Sequence, residues 1–316
     1  MSKLVVLNNI ERDISPNSSE TIALTKSYVA QSYALTFTIN HTNTAVIPAD
    51  VTALGFFERV IKTIRLDAGA SRDIINLTGG EALARMLYDN GALIYSFDKT
   101  TGASVSTFTV IVNIYNRQGI QPKDTAMNTL AYEHLNFIIK SADLSSITDV
   151  ALDGISVKIR EQQKSGVKPL TVNGAVVPLQ NRKPLVVRKA YSADDNNLAI
   201  TLPTRAVIHS AIFFVVDGDD IVEGAIDSIS TKILQNFRQS DDFETLHNLN
   251  SLEYLKNNND TDFNGLAIVD YAQGETTQAI DTRKAEENYG EIVLSVKKST
   301  FTNPVVIAIF NTVERA

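Results

Sequence analysis

The stretch Tyr33-Ala-Leu-Thr-Phe-Thr-Ile-Asn40 alternates large apolar residues with small or polar ones. Successive side chains of a β-strand point to opposite faces, so this period of two predicts a strand with one buried and one wetted face. The pattern recurs at Phe108–Ile114, Leu135–Ile139, Ile155–Ile159, Leu198–Leu202 and Ile292–Val296. Many such strands with few helices predict β-sandwiches or barrels rather than a parallel α/β sheet.

Two segments are apolar at consecutive positions instead of alternate ones: Ala211–Val216 and Val305–Phe310. A strand that is apolar on both faces is normally buried on both. We therefore expect another sheet to cover one face of these strands, and a second domain or subunit to cover the other.

Helix signals are strong in only two places. Thr78 and Glu81 fit a capping box, in which the two side chains satisfy each other's backbone N–H groups, and Gly91 supplies a left-handed stop. The second helix is predicted to begin at Asp241, with Glu244 at the box position. Its expected apolar stripe is Phe243, Leu246, Leu249 and Leu252. These signals predict one short helix in each half of the chain.

The two halves of the sequence resemble each other. The helix signals lie about 163 residues apart, and Val110–Tyr115 after the first corresponds to Leu266–Tyr271 after the second. A third correspondence pairs Ile61–Leu66 with Ala211–Val216, and each of these segments precedes the helix of its own half. Because order and spacing agree, we infer one internal duplication, which gives two similar β-domains in tandem.

Turn-forming residues mark the boundary between these domains. Asn173-Gly174, flanked by short apolar runs, favours a type I′ hairpin, so the connector is predicted to be a β-ribbon. The predicted bounds are an N-terminal arm at 1–30, the first β-domain at 31–165, the connector at 166–190 and the second β-domain at 191–316.

The composition of this 316-residue chain narrows the classes of function. Hydrophobic residues make up 44% and charged residues 21%, which is ordinary for a globular protein. The net charge of −7 argues against electrostatic binding of nucleic acid by the protein as a whole, because nucleic-acid-binding domains are usually basic. The lack of cysteine excludes disulfides and thiolate chemistry. No apolar run approaches a membrane span, and Leu4–Leu7 is too short for a secretory signal.

Motifs for catalysis or cofactor binding are missing. No Gly-x-Gly-x-x-Gly, Walker A or Gly-x-Ser-x-Gly sequence occurs. The four histidines, His41, His134, His209 and His247, are too scattered to predict a metal pair. Four pairs of adjacent acidic residues occur: Asp194-Asp195, Asp219-Asp220, Asp241-Asp242 and Glu286-Glu287. Neighbours on a strand point to opposite faces and do not face each other across a cleft, so we interpret these pairs as turns and helix caps. We predict no catalytic residue and no cofactor.

One segment resembles a calcium-binding loop. Asp260, Asp262 and Asn264 place oxygens at loop positions one, three and five, with Gly265 at position six. An EF-hand needs an acidic residue at position twelve, where this chain has Tyr271. The segment is therefore a candidate calcium site, with a plain polar turn as the alternative.

Charge is unevenly distributed along the chain. Positions 158–189 carry eight basic residues with Glu161 as the one acid, whereas acidic residues dominate from Asp217 to Glu275. Two solvated faces would explain this pattern. Complementary contact between copies, or a basic edge turned towards anionic lipid or nucleic acid, would explain it as well.

The stretches Ile64–Gly69, Asp73–Gly79 and Leu83–Tyr88 resemble the first jelly roll of double jelly-roll major capsid proteins from tailless, membrane-containing icosahedral bacterial viruses. Asp217–Asn264 fits the second jelly roll of that family. The resemblance implies an all-β chain of two tandem eight-stranded jelly-roll β-sandwiches, each with one short helix. It also implies a structural major capsid protein rather than an enzyme.

In such a family three chains form a pseudo-hexameric homotrimer, and the trimers tile an icosahedral shell. The implied partners are further copies of the chain, neighbouring trimers, minor or penton capsid proteins and, as a further candidate, an internal membrane. Direct genome binding is not expected. The implied location is the virion capsid, after assembly in the host cytoplasm.

Two other classes of function stay open on sequence grounds. A carbohydrate- or receptor-binding two-domain β-sandwich, such as a spike or lectin-like protein, would share the strand pattern. The absence of tryptophan and the 7% aromatic content make a poor stacking platform for sugars. A carbohydrate-active enzyme would need two carboxylates facing each other across a pocket.

Overall fold

A computed structural model describes residues 4–26, 29–43, 51–69, 73–99, 105–115, 127–142, 150–164, 171–173, 175–176, 181–218, 220–233, 236–254, 264–272, 279–283, 289–298 and 301–314. The chain divides into two compact units, one made mainly of Met1–Asp89 and Leu93–Lys183, the other mainly of Pro184–Glu314. Each unit contains one six-stranded and one four-stranded antiparallel sheet.

Within the described ranges, the first unit contains ten strands, two α-helices and one 3-10 turn at Thr129–Ala131. The strands are β1 (Leu4–Ile14), β2 (Ser19–Ala23), β3 (Val29–Asn43), β4 (Ile61–Asp67), β5 (Asp73–Leu77), β6 (Ile94–Phe97), β7 (Ser106–Tyr115), β8 (Met127–Asn128), β9 (Asn136–Ser141) and β10 (Val150–Lys164). The helices are α1 (Ala53–Val60) and α2 (Gly79–Asn90). One sheet has the order β1-β10-β3-β7-β6, with β8 also paired to β3, and the other has the order β2-β9-β4-β5.

A two-stranded ribbon, β11 (Thr171–Val172) and β12 (Ala175–Val176), follows the first unit. The second unit contains β13 (Asn181–Ala190), β14 (Asp195–Thr201), β15 (Val207–Asp217), β16 (Asp220–Val222), β17 (Ile226–Ile233), β18 (Asn236–Asp242), α3 (Phe243–Tyr254), β19 (Ala267–Asp270), β20 (Ile280–Asp281), β21 (Gly290–Val296) and β22 (Pro304–Glu314). Its sheets have the orders β13-β22-β15-β16, with β19 and β20 also paired to β15, and β14-β21-β17-β18.

The two units have the same topology. Counted along the chain without the short strands β6 and β8, the first unit has sheet orders 1-8-3-6 and 2-7-4-5. The second unit has the same orders when β16 and β20 are left out. This double Greek-key arrangement of eight strands is a jelly roll. The chain therefore consists of two tandem jelly rolls, and α2 and α3 occupy the same place in each.

The alternating pattern builds the core of the first roll. Tyr33, Leu35, Phe37 and Ile39 of β3 are completely buried. The Tyr33 ring packs edge-on against Phe137 of β9, with 5.3 Å between the ring centroids. Because β3 and β9 belong to different sheets, the two sheets enclose one core.

Side chains of both sheets also meet in the core of the second roll, among them Ile200, Phe213, Ile292 and Phe310. On β15 and β22 the intervening positions are buried as well: Ile212, Phe214, Ile307 and Ile309. The expected burial of both faces is confirmed for these strands. Cover of the second face by a second domain or subunit stays a prediction.

Several details differ from the sequence predictions. Residues 1–30 do not form a separate arm throughout, because β1 pairs with β10 and β2 pairs with β9 inside the first roll. The predicted connector, 166–190, includes β13, which is a strand of the second roll. The predicted hairpin within it is confirmed, with Asn173 in the left-handed region at φ +53° between β11 and β12.

The helix count and one repeat correspondence also differ. The first roll has two helices rather than one, because α1 lies between β3 and β4. The predicted correspondence between Ile61–Leu66 and Ala211–Val216 was wrong. By topology, β4 (Ile61–Asp67) corresponds to β17 (Ile226–Ile233), and β15 corresponds to β3. None of the helices in the described ranges is long and apolar enough to cross a membrane.

Candidate functional site

The calcium candidate falls mostly outside the described residues. Asp260 and Asp262 are among the residues not described, while Asn264 is exposed in the turn that precedes β19. Gly265 has φ +78°, and a Cβ added to it would lie 3.1 Å from the Val222 carbonyl oxygen. Within the described ranges, no group of three or more His, Cys, Asp or Glu side chains could hold a metal ion. The calcium loop stays a prediction.

The four histidines lie in separate structural environments. His41 is buried, and its Nδ1 is 2.7 Å from the Asn43 Oδ1. His134 Nε2 is 2.9 Å from the Asp67 Oδ2, and this contact lowers the pKa of the Asp67 carboxyl. His247 Nδ1 lies 2.8 Å from the Leu266 carbonyl oxygen, and His209 is buried on β15. The structure brings none of these four rings together.

Acidic residues from the predicted pairs cap turns and a helix where they are described. Asp194 accepts a hydrogen bond from the Lys298 N–H, and Asp195 accepts one from the Asn197 N–H, both at 2.8 Å. Asp242 Oδ1 accepts from the Thr245 N–H at 2.8 Å and caps α3. Hydrogen bonds from the Thr245 backbone and side chain lower the pKa of the Asp242 carboxyl. The helix cap is thus Asp242, one residue later than the predicted start at Asp241.

The first helix of the repeat is capped as the sequence predicts. The Thr78 N–H donates to the Glu81 Oε2 at 2.9 Å, and the Glu81 N–H donates to the Thr78 Oγ1 at 3.4 Å. This reciprocal pair confirms the capping box and fixes the start of α2. The α2 residues from Gly79 to Leu87 are all buried.

A second carboxylate reaches the same helix end from α1. Glu58 Oε2 accepts a hydrogen bond from the Gly80 N–H at 2.7 Å. The pKa of Glu58 is raised to about 7. Burial is the main cause and the nearby Glu81 carboxylate adds to it, while hydrogen bonds from Thr78 and Gly80 and the Lys62 charge act in the opposite direction. We call Glu58, Thr78, Gly79, Gly80 and Glu81 the helix joint.

Two glycines permit this close approach of α1 and α2. A Cβ on Gly79 would lie 2.5 Å from the Phe57 carbonyl oxygen, and one on Gly80 would lie 2.9 Å from the Glu58 Oε2. The contact at Gly79 is with backbone and could be relieved only if the helices moved apart, whereas the Glu58 side chain could shift away from a Cβ on Gly80. The sequence signals missed Glu58, since it precedes Gly80 by 22 residues and belongs to a helix that carries no strong cap pattern.

A buried asparagine of α3 forms two hydrogen bonds with the neighbouring strand β19. The Asn250 amide donates to the Ile268 carbonyl oxygen at 3.0 Å and accepts from the Ile268 N–H at 2.7 Å. Among the α3 side chains that the structure describes, the buried ones are Leu246 and Asn250, one turn apart. The predicted apolar stripe was therefore wrong at its end, because Asn250 occupies the sheet-facing position.

Two leucines of α3 are exposed to solvent. Leu249 is 54% exposed and Leu252 is 82% exposed. We call these two residues the α3 patch. Exposed Glu244 and Asp242 lie toward the N-terminal end of the same helix. A pair of leucines one turn apart on an exposed helix face is typical of a surface that another element covers.

The first roll bares apolar side chains at the edge of its larger sheet. Ile94 and Tyr95 of β6 are 53% and 39% exposed, and Val105, just before β7, is 56% exposed. Ile94 and Tyr95 are adjacent in β6 and therefore point to opposite faces of the sheet. Ile94 pairs with Ile111, so Val105 lies six residues away along the neighbouring strand. Strand β6 pairs with β7 and ends the sheet order, so it is an edge strand. Leu130 is the remaining large apolar residue that is exposed within the described ranges.

The basic run from position 158 to 189 is partly neutralised within the chain. The Lys158 Nζ lies 3.8 Å from the Glu11 Oε2 on the neighbouring strand, and the Lys189 Nζ donates to the Ala199 carbonyl oxygen. Arg160 and Arg188 are exposed. Two lysines of this run thus have contacts within the chain, and each of the explanations for the uneven charge stays a prediction.

Comparison with known proteins identifies structures that share this fold. No protein-family model matches the sequence, and no curated protein is similar to it. The solved structure of the STIV major capsid protein matches with a TM-score of 0.77 at 12% identity, over 99% of this chain and 97% of that one. The major capsid protein P2 of bacteriophage PM2 matches with a TM-score of 0.61 at 11% identity, over 99% and 98% of the two chains.

A third similar structure is the PBCV-1 virus capsid, with a TM-score of 0.66 at 6% identity, over 99% of this chain and 94% of that one. The STIV protein is also matched within the atomic structure of Sulfolobus Turreted Icosahedral Virus, with a TM-score of 0.80 at 11% identity, over 99% and 91% of the chains. The likeness thus extends beyond bacterial viruses. This chain has the double jelly-roll fold of viral major capsid proteins.

Proposed function

We propose that this protein is the structural major capsid protein of an icosahedral virus and that it assembles as a homotrimer. The observation that carries the proposal is the internal duplication: α2 and α3, and eight strands of each roll, occupy matching places. Three chains with two similar rolls each supply six similar blocks around one axis. A pseudo-hexamer of this kind can tile a shell by repeating a single subunit.

The distribution of apolar surface supports an assembling subunit. The described exposed apolar residues include Ile94 and Tyr95 on the edge strand β6 of one roll, and Leu249 and Leu252 on α3 of the other. Edge strands and bare helix faces need cover in a stable protein, and obligate interfaces of roughly 2,000–5,000 Å² provide it. The helix joint in the first roll and the burial of both faces of β15 and β22 in the second show that both rolls are closely packed, which suits a shell.

The proposal extends to partners and location. Each trimer would contact neighbouring trimers in the shell, and minor or penton capsid proteins would fill positions that trimers cannot. An internal membrane is a further candidate partner for the exposed Arg160 and Arg188. We expect no direct genome binding, assembly in the host cytoplasm and a final location in the virion capsid.

We also propose that each roll folds as its own domain. The bounds 31–165 and 191–316 from the sequence would then extend towards the N-terminus, so that β1 and β2 join the first domain and β13 joins the second. The ribbon β11–β12 would be the connector.

The test is the mass and shape of the purified protein. Multi-angle light scattering is expected to give about three times the chain mass of 34.6 kDa, or a larger assembly. Negative-stain microscopy is expected to give hexagonal blocks with a threefold axis. A stable monomer at high concentration would contradict the proposal.

A further inference from the structure

Asparagine followed by glycine occurs three times in the sequence, as Asn90-Gly91, Asn173-Gly174 and Asn264-Gly265. Asparagine is a thermolabile residue, and a following glycine has no Cβ to shield its backbone nitrogen from the asparagine side chain. The structure describes the first and the third of these pairs in full, whereas Gly174 lies outside the described residues. The two described pairs have the same sequence but different surroundings.

The pair Asn264-Gly265 forms an exposed turn. The Asn264 side chain is exposed, and neither residue of the pair belongs to a helix or a strand. Gly265 has φ +78°, and a Cβ added to it would lie 3.1 Å from the Val222 carbonyl oxygen and 3.4 Å from the Ile221 Cγ2. A larger residue would be strained there, so the fold itself requires glycine after Asn264.

The pair Asn90-Gly91 ends a helix. Asn90 is exposed as well, but it is the last residue of α2. Gly91 has φ +73°, the left-handed conformation of a glycine that follows a helix and returns its N–H to the carbonyl groups of the last turn. A reaction at the Gly91 nitrogen therefore requires the end of α2 to unwind.

Exposure of an asparagine is thus not sufficient for reaction. Asn17 is also exposed and has φ +50°, but the N–H of the next residue, Ser18, donates to the Ser141 Oγ at 3.2 Å. The nitrogen that would have to attack the Asn17 side chain is held by this hydrogen bond. Local hydrogen bonding and exposure together single out Asn264.

We propose that Asn264 is a site of spontaneous deamidation in the folded protein, and that Asn90 is protected by its helix. The Gly265 backbone nitrogen loses its proton and attacks the Asn264 Cγ, and a C–N bond forms. The bond from Cγ to Nδ2 breaks and ammonia leaves, which gives a succinimide ring. Water then opens the ring at either carbonyl group and gives aspartate or isoaspartate. One water is consumed and one ammonia released, without oxidation or reduction.

The modification changes both charge and backbone length. It adds one negative charge to a chain whose net charge is −7. Isoaspartate also adds a methylene to the backbone shortly before β19, whose residues Ala267, Ile268 and Val269 are buried and pair with β15. We therefore expect the isoaspartate form to have a lower melting temperature than the unmodified protein.

The test compares the two pairs in the folded and the unfolded chain. The purified full-length protein is incubated at pH 8.5 and 37 °C, with and without concentrated urea, and peptide mass spectrometry follows the conversion of Asn264 and Asn90. In urea the two pairs are expected to react at similar rates. In the folded protein Asn264 is expected to react about tenfold or more faster than Asn90, because an opening free energy of about 1.4 kcal/mol at the helix end supplies a factor of ten.

Asn264→Gln is the matched control. The longer side chain keeps the amide but disfavours ring closure, so the product at position 264 should disappear while the rate at Asn90 stays the same. Circular dichroism should be unchanged, since Asn264 is exposed. Equal rates at Asn264 and Asn90 in the folded protein would overturn the inference, as would faster conversion of Asn90 or no conversion of Asn264 under conditions in which the unfolded chain reacts.

Discussion

The carboxylate of Glu58, in α1, accepts a hydrogen bond from the backbone N–H of Gly80, in the first turn of α2, at 2.7 Å. A helix N-terminus favours a negative charge, whereas burial beside Glu81 disfavours it. Burial prevails, so the pKa of Glu58 is raised to about 7. The joint between the two helices therefore responds to pH near neutrality.

The free energy of unfolding should depend on the ionisation of Glu58. The native state keeps the proton up to a pKa of about 7, whereas the unfolded chain loses it near 4.5. Stability from this group is therefore full below pH 4.5 and falls as the pH rises to 7, by roughly 3 kcal/mol in all. Urea unfolding of the wild type and Glu58→Gln at pH 5 and 7.5 measures this slope.

Glu58→Gln is expected to remove that part of the pH dependence. Glu244→Gln, at an exposed position in the first turn of α3, is the control and should keep the wild-type slope. Identical pH profiles for Glu58→Gln and the wild type would contradict the assignment.

Gly79→Ala should destabilise the first roll. The added Cβ would lie 2.5 Å from the Phe57 carbonyl oxygen, so α1 and α2 would have to move apart. Overpacking of this kind costs about 1–3 kcal/mol, which denaturant unfolding can measure. Gly154→Ala is the matched control, because a Cβ there has no atom within 4 Å. Equal stability of the two variants would argue against a tight helix joint.

Asn250→Ala should destabilise the second roll. The Asn250 amide is buried and satisfies both the N–H and the carbonyl oxygen of Ile268. Its removal leaves two buried backbone groups unpaired, which costs about 1–3 kcal/mol for each. Thermal unfolding is the measurement, with Asn248→Ala, an exposed neighbour on α3, as the control. A melting temperature unchanged by Asn250→Ala would contradict this role.

Thr282→Val should destabilise the loop between β14 and β15. The buried Thr282 Oγ1 accepts from the Ala206 N–H at 3.1 Å and lies 2.8 Å from the Pro203 carbonyl oxygen, to which it donates. Valine has the same shape without the hydroxyl, so about 1–3 kcal/mol should be lost. Hydrogen exchange of the Ala206 amide reports the change. Thr204→Val, at an exposed position, should leave that exchange rate unaltered.

Local patterns in the sequence predicted much of the fold. Alternation from Tyr33 to Ile39, the Thr78–Glu81 capping box and the Asn173-Gly174 turn each depend on neighbouring residues, so one sequence is enough to read them. The tandem arrangement followed from the matching positions of the two helices.

Contacts between distant residues could not be read in the same way. Helix α1 has eight residues with Gly55 near its start, and its stability comes from burial of Phe56 and Phe57 against the rest of the roll. On α3, periodicity favoured Leu249 as a core residue, but the paired hydrogen bonds of Asn250 with Ile268 turn Leu249 outwards. Whether an apolar residue such as Ile94 of β6 is exposed depends on which surfaces the rest of the folded chain covers. Neighbouring residues in the sequence do not determine this.

Each roll begins and ends with strands that are neighbours in one sheet: β1 pairs with β10, and β13 pairs with β22. During synthesis the first roll cannot close until position 164 has left the ribosome, and every strand of its two sheets has then been translated. Until that moment β3 lacks β10, the neighbour on its other side from β7. The nascent chain is thus most exposed to mispairing with a second copy just before its own last strand arrives.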